Sequence, residues 1–231
     1  MLKICKKFAN GIINLLYPKR CLLCNGLMLY GSTRELCGDC EKNIAGYAPA
    51  SHIYVPTDFT EIKRVYVAFN YDGDIREALH RLKFTGMRDN AAKMASLMKK
   101  ANWPPEFIHD IEQADYLIPI PLHKSREKER GFNQSERLAF ALSKEYGIPL
   151  LNILTRDKKT EFMYGLNRTE RFENVRSAFG VLQPEIIKGK NVILVDDIYT
   201  TGATIEECAR TLIRVNVRSV CGLIFALAAK E

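Results

Sequence analysis

The sequence has no apolar run long enough to cross a membrane, since no stretch approaches the eighteen or so apolar residues that a spanning helix requires. It also lacks low-complexity tracts and internal repeats, and its 47% hydrophobic and 26% charged residues are typical of a globular protein. No G-x-x-x-x-G-K-[ST] loop occurs, which argues against a P-loop ATPase. A length of 231 residues suffices for one sizeable domain and a small module.

Acidic residues are missing from the first twenty positions, which contribute five basic residues to a chain of net charge +7. A basic chain suits an anionic partner such as nucleic acid, a phosphorylated substrate or an acidic lipid. Residues 1–17 are predicted to form an amphipathic helix, either packed on the protein or lying on a membrane surface. Asn10, Gly11 and Asn14 interrupt its apolar pattern and no cleavage site follows, so we expect no signal peptide and a cytoplasmic location.

Four cysteines form two C-x-x-C pairs, Cys21 with Cys24 and Cys37 with Cys40, separated by twelve residues. Each pair can fold into a tight turn that points two thiolates at one point, and two such turns form the tetrahedral shell of structural zinc. The spacing therefore predicts a zinc-binding module, with a disulfide or a redox pair as the alternative. Four thiolates leave no open coordination position, so the metal is expected to be structural.

Two adjacent carboxylates and a hydroxyl-rich turn meet in the segment V-I-L-V-D-D-I-Y-T-T-G-A-T, residues 192–204. Four apolar residues without alternation favour a strand buried on both faces, as in the parallel sheet of an α/β protein. Asp196 and Asp197 are then expected at the carboxyl end of this strand, where open α/β sheets place ligands.

Residues 200–204 are expected at the amino end of a helix, because apolar residues recur at helical spacing after them. Free backbone N–H groups and the helix dipole make such an end an anion site, and Gly202 permits a tight turn. The neighbouring acids indicate a ligand that combines a phosphate with hydroxyls or a metal, such as a sugar phosphate with Mg²⁺. The alternative is a core strand whose carboxylates only cap the next turn.

A basic run follows another predicted strand, residues 116–121, which ends at its prolines. We expect this run to form a loop, followed by a helix that Asn133 and Glu136 cap. Because both strands should run in the same direction, the loop could bind pyrophosphate at the far end of the same ligand. The residues predicted to do so are Lys124, Arg126 and Arg130. A solvated charged surface is the alternative, and His123 is equally consistent with a structural role.

Residues 156–176 are polar and rich in arginine and lysine. A long polar segment between regular elements is either a mobile functional loop or disordered. Its position before the acidic strand favours a lid that closes over a phosphorylated ligand and excludes water.

Further elements complete an α/β pattern. Strands are predicted at 65–69 and 217–228, and helices from Asp74 to about 84 and from Asn90 to Lys100. Cysteines without metal-ligand spacing are expected in the core, namely Cys5, Cys208 and Cys221. The chain is expected to divide into an amino-terminal helix with the zinc-binding module, residues 1–50, and an α/β domain, residues 57–231.

The segment 192–204 resembles the signature with which type I phosphoribosyltransferases bind 5-phosphoribosyl 1-pyrophosphate (PRPP). The resemblance implies a catalytic role for Asp196 and Asp197, which would hold the ribose 2′- and 3′-hydroxyls directly or near Mg²⁺. It also implies that residues 200–204, which we call the bend, bind the 5′-phosphate. The residues of the bend are Thr200, Thr201, Gly202, Ala203 and Thr204.

Nearly the whole chain is similar to the ComF family of competence proteins. The similarity includes the four-cysteine module and the PRPP motif. Between them lie a Lys-Phe-x-Gly step (83–86), a Pro-x-Pro-Leu-His-Lys…Arg-Gly-Phe-Asn-Gln segment (119–134) and an Arg…Asn…Ala-Phe segment (171–179). In the predicted lid, Met163 stands where relatives have glutamine, which would alter affinity or turnover if that glutamine contacts the ligand.

This resemblance implies a type I phosphoribosyltransferase-like parallel sheet flanked by helices, with structural Zn²⁺ in the amino-terminal module and Mg²⁺ bound with PRPP. It also implies a role in natural transformation, which handles incoming single-stranded DNA (ssDNA) on the cytoplasmic face of the membrane. The expected partners are PRPP, ssDNA, a competence helicase or other transformation proteins, and the membrane periphery. Two alternatives stay open, namely a phosphoribosyltransferase acting on a nucleobase and an interaction protein with a vestigial site.

Overall fold

The computed structural model describes most of the chain. The described residues are 18–29, 31–49, 53–54, 61–84, 90–158 and 167–228, with only the backbone of residues 53–54, 82–84 and 168. Within these ranges, no helix combines the length and apolar character that crossing a membrane would require. The predicted amino-terminal helix and Met163 lie outside them.

The main sheet has the strand order β1-β2-β7-β6-β3, and β4 pairs with β5 in a separate two-stranded antiparallel sheet. The strands are β1 (Ile53–Tyr54), β2 (Arg64–Asn70), β3 (Tyr116–Pro119), β4 (Leu154–Arg156), β5 (Phe179–Val181), β6 (Asn191–Tyr199) and β7 (Ser219–Leu227). β1 is antiparallel to β2, whereas β2, β7, β6 and β3 run parallel. The carboxyl ends of the four parallel strands therefore meet at one edge.

The helices lie between these strands. They are α1 (Gly38–Asn43), α2 (Gly73–Phe84), α3 (Asn90–Lys99), α4 (Pro105–Glu112), α5 (Lys124–Arg130), α6 (Gln134–Tyr146), α7 (Arg168–Val175) and α8 (Ala203–Ile213), with short 3₁₀ helices at Ile44–Tyr47 and Pro184–Ile186. The predicted strands and helices around residues 65, 74, 90, 116 and 217 are thereby confirmed, whereas α4 was not predicted.

Strands β6 and β7 are buried continuously because the sheet packs against other parts of the protein on both of its faces. Residues 192–195 and 220–226 are buried without alternation, as expected for strands in a parallel sheet between helices. One core cluster contains Ile75, Met94 and Leu138, and the other contains Ile205 and Leu212. The apolar sequence pattern therefore correctly predicted strands enclosed on two sides.

The amino-terminal module shares a core with the sheet. Cys21, Leu23 and Leu36 belong to the same buried cluster as Phe69 and Met98. Arg81 Nη2 adds hydrogen bonds of 2.5 Å to the carbonyl oxygens of residues 22 and 23. The module is thus fixed to the sheet by apolar packing and by backbone contacts.

The basic run forms a helix, so the expected loop was wrong. α5 follows β3 after four residues and ends at Gly131, whose φ of 77° places it in the left-handed region. Asn133 caps α6 as expected, because its Oδ1 accepts a hydrogen bond from the N–H of Ser135 at 3.1 Å. Glu136 does not complete a capping box there, since it accepts instead from Asn152 Nδ2 at 2.7 Å.

The polar segment 156–176 was expected to be a mobile loop or disordered, which is wrong for its described parts. Arg156 is the last residue of β4, and α7 begins with a capping box in which Asn167 and Glu170 exchange side-chain to backbone hydrogen bonds. Local capping chemistry thus forms a helix within a polar segment, while residues 159–166 lie outside the described ranges.

Candidate functional site

Asp196 lies where β6 loses one of its neighbours. β3 pairs with β6 only as far as Pro119 opposite Val195, and β6 continues to Tyr199 beside β7. The N–H of Ile120 still donates to the carbonyl oxygen of Val195 at 3.0 Å, and the chain leaves the sheet after it. The resulting step opens a crevice at the carboxyl edge, which is where α/β sheets bind ligands.

The amino end of α6 positions Asp196. Ser135 Oγ donates to Asp196 Oδ1 at 2.6 Å, and the N–H of Asp197 donates to the same oxygen at 2.9 Å. Asn133 fixes this end of α6, because its Nδ2 donates to the carbonyl oxygen of Ile120 at 3.0 Å. Ser135 was not among the predicted site residues, since it lies 61 positions from its partner.

The side chain of Asp197 points to the opposite face of β6 from that of Asp196, because successive side chains in a strand alternate. It is 9% exposed, whereas Asp196 is half-buried and lines a cavity with the following bend. The two predicted acids are adjacent in sequence but point into different surroundings.

The bend after β6 brings backbone N–H groups to the carboxyl edge. Gly202 is the N-cap of α8 with a φ of 84°, and as glycine it has no side chain that could cap the helix. A Cβ at Gly202 would lie 2.5 Å from Tyr199 Oη, so both the backbone angle and the packing require glycine. Thr201 Oγ1 accepts a long hydrogen bond of 3.5 Å from the N–H of Ala203.

Asp196 and the bend surround one cavity of about 30 Å³. Its lining is formed by Asp196, Ile198, Tyr199, Thr200, Gly202, Ala203, Thr204, Ile205 and Ile224. This volume holds one small polar group. A larger ligand that fills the cavity must extend out over the edge of the sheet.

A buried acid in the first turn of α8 is held neutral. Glu206 is 1% exposed, and burial, followed by the contact with Glu61, raises its pKa to about 8. Arg210 Nη2 lies 3.8 Å from Glu206 Oε1 and offsets only part of this effect. Because the acid is protonated near neutral pH, it adds little negative charge beside the anion site.

The predicted pyrophosphate-binding residues lie on α5. Arg126 and Arg130 are half-buried, four positions apart and therefore on one face of the helix, whereas Lys124 is exposed. Burial, together with the charge of Arg130, lowers the pKa of Arg126. His123 has a structural role as the N-cap of α5, where its Nδ1 accepts from the N–H of Ser125 at 3.2 Å.

Arg156 is a buried cation near this face that was missed as a site residue. It is 7% exposed at the end of β4, and its guanidinium carbon lies 5.2 Å from the centroid of the Phe179 ring. Burial and the charge of Arg126 lower its pKa, while the charge of Asp196 is among those that raise it. The charges of both Arg126 on α5 and Asp196 on β6 therefore act on Arg156.

The four predicted zinc ligands lie together. The Sγ atoms of Cys21, Cys24, Cys37 and Cys40 are all within 4.8 Å of one another, and all four cysteines are unbridged. Cys24 Sγ and Cys37 Sγ are 3.8 Å apart, which matches the edge of about 3.8 Å in a tetrahedron with zinc–sulfur bonds of about 2.3 Å. The cluster fits structural zinc.

A second group of charges surrounds the buried Asp110 at the amino end of the sheet. Asp110 accepts hydrogen bonds from Lys63 Nζ at 2.7 Å, Arg64 Nη1 at 3.0 Å, Tyr66 Oη at 2.6 Å and Cys221 Sγ at 3.4 Å. Burial alone would raise the pKa of Asp110, but these donors outweigh it and lower the pKa to about 2. This group was not predicted from the sequence.

Known proteins are similar to this chain in sequence. The family model for the phosphoribosyl transferase domain matches residues 133–229, which include the amino end of α6, the acidic strand and the bend. Competence protein F of Haemophilus influenzae is 26% identical over 215 residues, covering 87% of this chain and 93% of the relative. Competence protein ComFC of Bacillus subtilis is 35% identical over 149 residues, covering 63% of this chain and 56% of the relative.

These relatives and the domain match support assignment of the chain to the ComF family of competence proteins. A further relative, DNA utilization protein YhgH of Shigella flexneri, is 28% identical over 178 residues, covering 74% of this chain and 78% of the relative. The domain match and the observed topology confirm the predicted fold, a phosphoribosyltransferase-like parallel sheet flanked by helices with a four-cysteine cluster near the amino terminus.

Proposed function

We propose that this ComF family protein binds PRPP with Mg²⁺ at the carboxyl edge of the sheet and acts in the cytoplasmic handling of incoming ssDNA during transformation. One observation carries the proposal: Asp196 and the bend at the amino end of α8 line a single cavity. A helix end that offers free N–H groups beside a carboxylate suits a sugar phosphate.

Each part of the site then has a distinct task. The bend, residues 200–204, binds the 5′-phosphate through backbone N–H groups and threonine hydroxyls. Asp196 accepts the ribose hydroxyls from the crevice side, and Asp197 acts from the other face of the strand. Their carboxylate oxygens are the hard ligands that Mg²⁺ prefers, and the ion would neutralise charge on the pyrophosphate.

The basic residues complete the anion site. We assign the pyrophosphate to Lys124, Arg126 and Arg130 of α5, with Arg156 behind them. Arg126 lowers the pKa of Arg156, so the two cations repel each other and a bound anion would relieve that repulsion. In a transfer reaction, these residues would stabilise the departing pyrophosphate, and the carboxylates would stabilise the positively charged ribosyl centre.

A titration of PRPP with and without Mg²⁺ tests this site. The wild-type protein is compared with the double variant Asp196→Ala and Asp197→Ala, and we expect at least a tenfold loss of affinity in the variant. Equal affinities would mean that PRPP does not bind at the acidic strand. Pyrophosphate release that depends on an added nucleobase would show that the protein is a transferase.

The DNA role is tested separately. We propose that the zinc-binding module and the basic surface contact ssDNA or partner proteins at the membrane periphery, in keeping with the net charge of +7 and with relatives named for competence and DNA utilization. Affinity for an oligonucleotide should then fall steeply with rising salt. A flat salt response would contradict contact between the basic residues and the phosphates.

A further inference from the structure

A second cavity, of about 340 Å³, lies between the zinc-binding module and the sheet. The module contributes Leu36 and Ile44, β2 contributes Phe69 near its carboxyl end, and the end of α3 contributes Leu97. These side chains make the cavity mainly apolar, and its size is that of a small-molecule site. It lies on the sheet face that carries α3 and α6, opposite the core packed against α8.

One acid in this cavity has an unsatisfied oxygen. Glu35 Oε2 is buried, and no atom of the described residues donates a hydrogen bond to it. Glu41 lines the same cavity but is half-exposed and pairs with Arg34 Nη1 at 2.9 Å. Because a buried carboxylate oxygen without a donor is costly, the cavity is complementary to a ligand that brings an N–H group.

We propose that this cavity binds a nucleobase with an exocyclic amino group, whose ring packs among Phe69, Leu97 and Leu36 and whose amino group donates to the carboxylate of Glu35. A flat heterocycle has two apolar faces and a polar edge, which matches mainly apolar walls with one acceptor that lacks a donor. Thymine presents a carbonyl oxygen where cytosine presents the amino group. Glu35 would repel that oxygen, which gives a basis for discrimination.

The ligand could be a free nucleoside or a base of ssDNA, since both present the same amino edge. The proposal is independent of PRPP binding, because the cavity shares no lining residue with the one beside Asp196. A variant that abolishes PRPP binding should therefore leave nucleobase binding intact.

The chain contains its own reporter for this site. Trp103 is the single tryptophan and directly follows Ala101 and Asn102, which line the cavity. Its Nε1 donates to the carbonyl oxygen of Met98 at 2.6 Å, and its ring stacks on Phe107 with centroids 4.3 Å apart. Ligand binding beside this fixed indole should change its fluorescence.

The experiment titrates cytidine and thymidine into the zinc-loaded full chain and follows tryptophan fluorescence. We expect saturable binding of cytidine and at least tenfold weaker binding of thymidine. Glu35→Gln should weaken cytidine binding about ten- to hundredfold, because a charge-assisted hydrogen bond is lost. Ala101→Phe, which fills the cavity from its rim, should abolish it. The matched control Glu41→Gln removes an acid that already has a partner and should change affinity less than twofold.

Zinc content and thermal unfolding show whether each variant is folded. Equal affinities for cytidine and thymidine, or full cytidine binding by Glu35→Gln, would overturn the proposal, as would the absence of any nucleoside binding. Competition by an oligo-dC but not by an oligo-dT assigns the ligand to ssDNA, while competition by neither assigns it to the free nucleoside. Cytidine binding that persists after Asp196→Ala with Asp197→Ala keeps this test separate from that of the PRPP site.

Discussion

The two ends of the main sheet use buried charge in opposite ways. At the amino end, four donors converge on Asp110, and two of them are the cations Lys63 and Arg64. At the carboxyl end, burial and the charge of Arg126 lower the pKa of Arg156, and burial and the charge of Arg130 lower the pKa of Arg126. The negative charge of Asp110 is neutralised by cations of the protein itself. The positive charges at the carboxyl end would instead be neutralised by a bound anion.

This difference suggests that charges at the amino end of the sheet serve folding stability and that charges at the carboxyl end serve ligand binding. A carboxylate that accepts several hydrogen bonds stabilises the folded state, because unfolding exposes a weaker acid to water. Like charges held together cost folding free energy, and such clusters are typical of ligand sites. We therefore expect substitutions at the amino end to affect unfolding and those at the carboxyl end to affect affinity for PRPP.

The largest effect is expected for Asp110→Asn. Removing the charge leaves Lys63 and Arg64 without their acid, so the free energy of unfolding should fall by about 3 kcal/mol or more at pH 7. The pKa of Asp110 is lowered, so its contribution is present above about pH 4 and is lost as the pH falls through about 2. Chemical denaturation at pH 7 and pH 2 measures this change.

Asp115→Asn is the control for this substitution. Asp115 pairs with Lys190 at 3.0 Å but is more exposed, with 32% of its side-chain surface accessible, so a cost below about 1 kcal/mol is expected. PRPP affinity should be unchanged in both variants. An equal loss of stability in the two would contradict the special role of the Asp110 group.

Glu206→Gln is expected to stabilise the protein in a pH-dependent way. The pKa of Glu206 is raised to about 8, so the favourable neutral form is fully present below the unfolded pKa and is lost as the pH rises through about 8. The gain from glutamine should therefore grow by about 1 kcal/mol per pH unit between pH 5 and pH 8. Thermal unfolding across this range measures it, and a gain independent of pH would be inconsistent with titration of Glu206.

Gly202→Ala should weaken PRPP binding about a hundredfold. The new Cβ would clash with the Tyr199 side chain, and alanine would have to adopt the unfavourable φ of 84°. Both effects should displace the bend. Gly189→Ala is the matched control, because Gly189 also has a positive φ, 72°, but its Cβ would contact nothing within 4 Å. It should cost about 1 kcal/mol of stability and leave affinity unchanged. Similar affinities for both variants would argue against phosphate binding at the bend.

Arg156→Gln should weaken PRPP binding about tenfold without loss of stability. The substitution removes a guanidinium that is both buried and close to Arg126, so the cost of that repulsion also disappears. Arg176→Gln is the control, because Arg176 comes from the same polar segment but is exposed and pairs only loosely with Glu173 at 3.6 Å. Unchanged affinity of Arg156→Gln would place the anion elsewhere.

Local patterns explain which features could be predicted. The turn of β6 into α8 follows from an apolar run, a glycine and helical spacing, all within 22 residues of sequence. The helix α7 was missed because its capping box lies in a polar segment without an apolar pattern. Arg156 was missed for a related reason, since only the pairing of β4 with β5 removes it from solvent.

The sequence by itself determined the strands buried on both faces, the glycine at the bend and the four-cysteine cluster, because each depends on neighbouring residues or short spacings. Only the tertiary structure decided that Ser135 holds Asp196 and that the carboxylate of Asp110 is neutralised by cations. These contacts join residues tens of positions apart. They exist because the strand order places particular chain segments side by side, and no local pattern specifies that order.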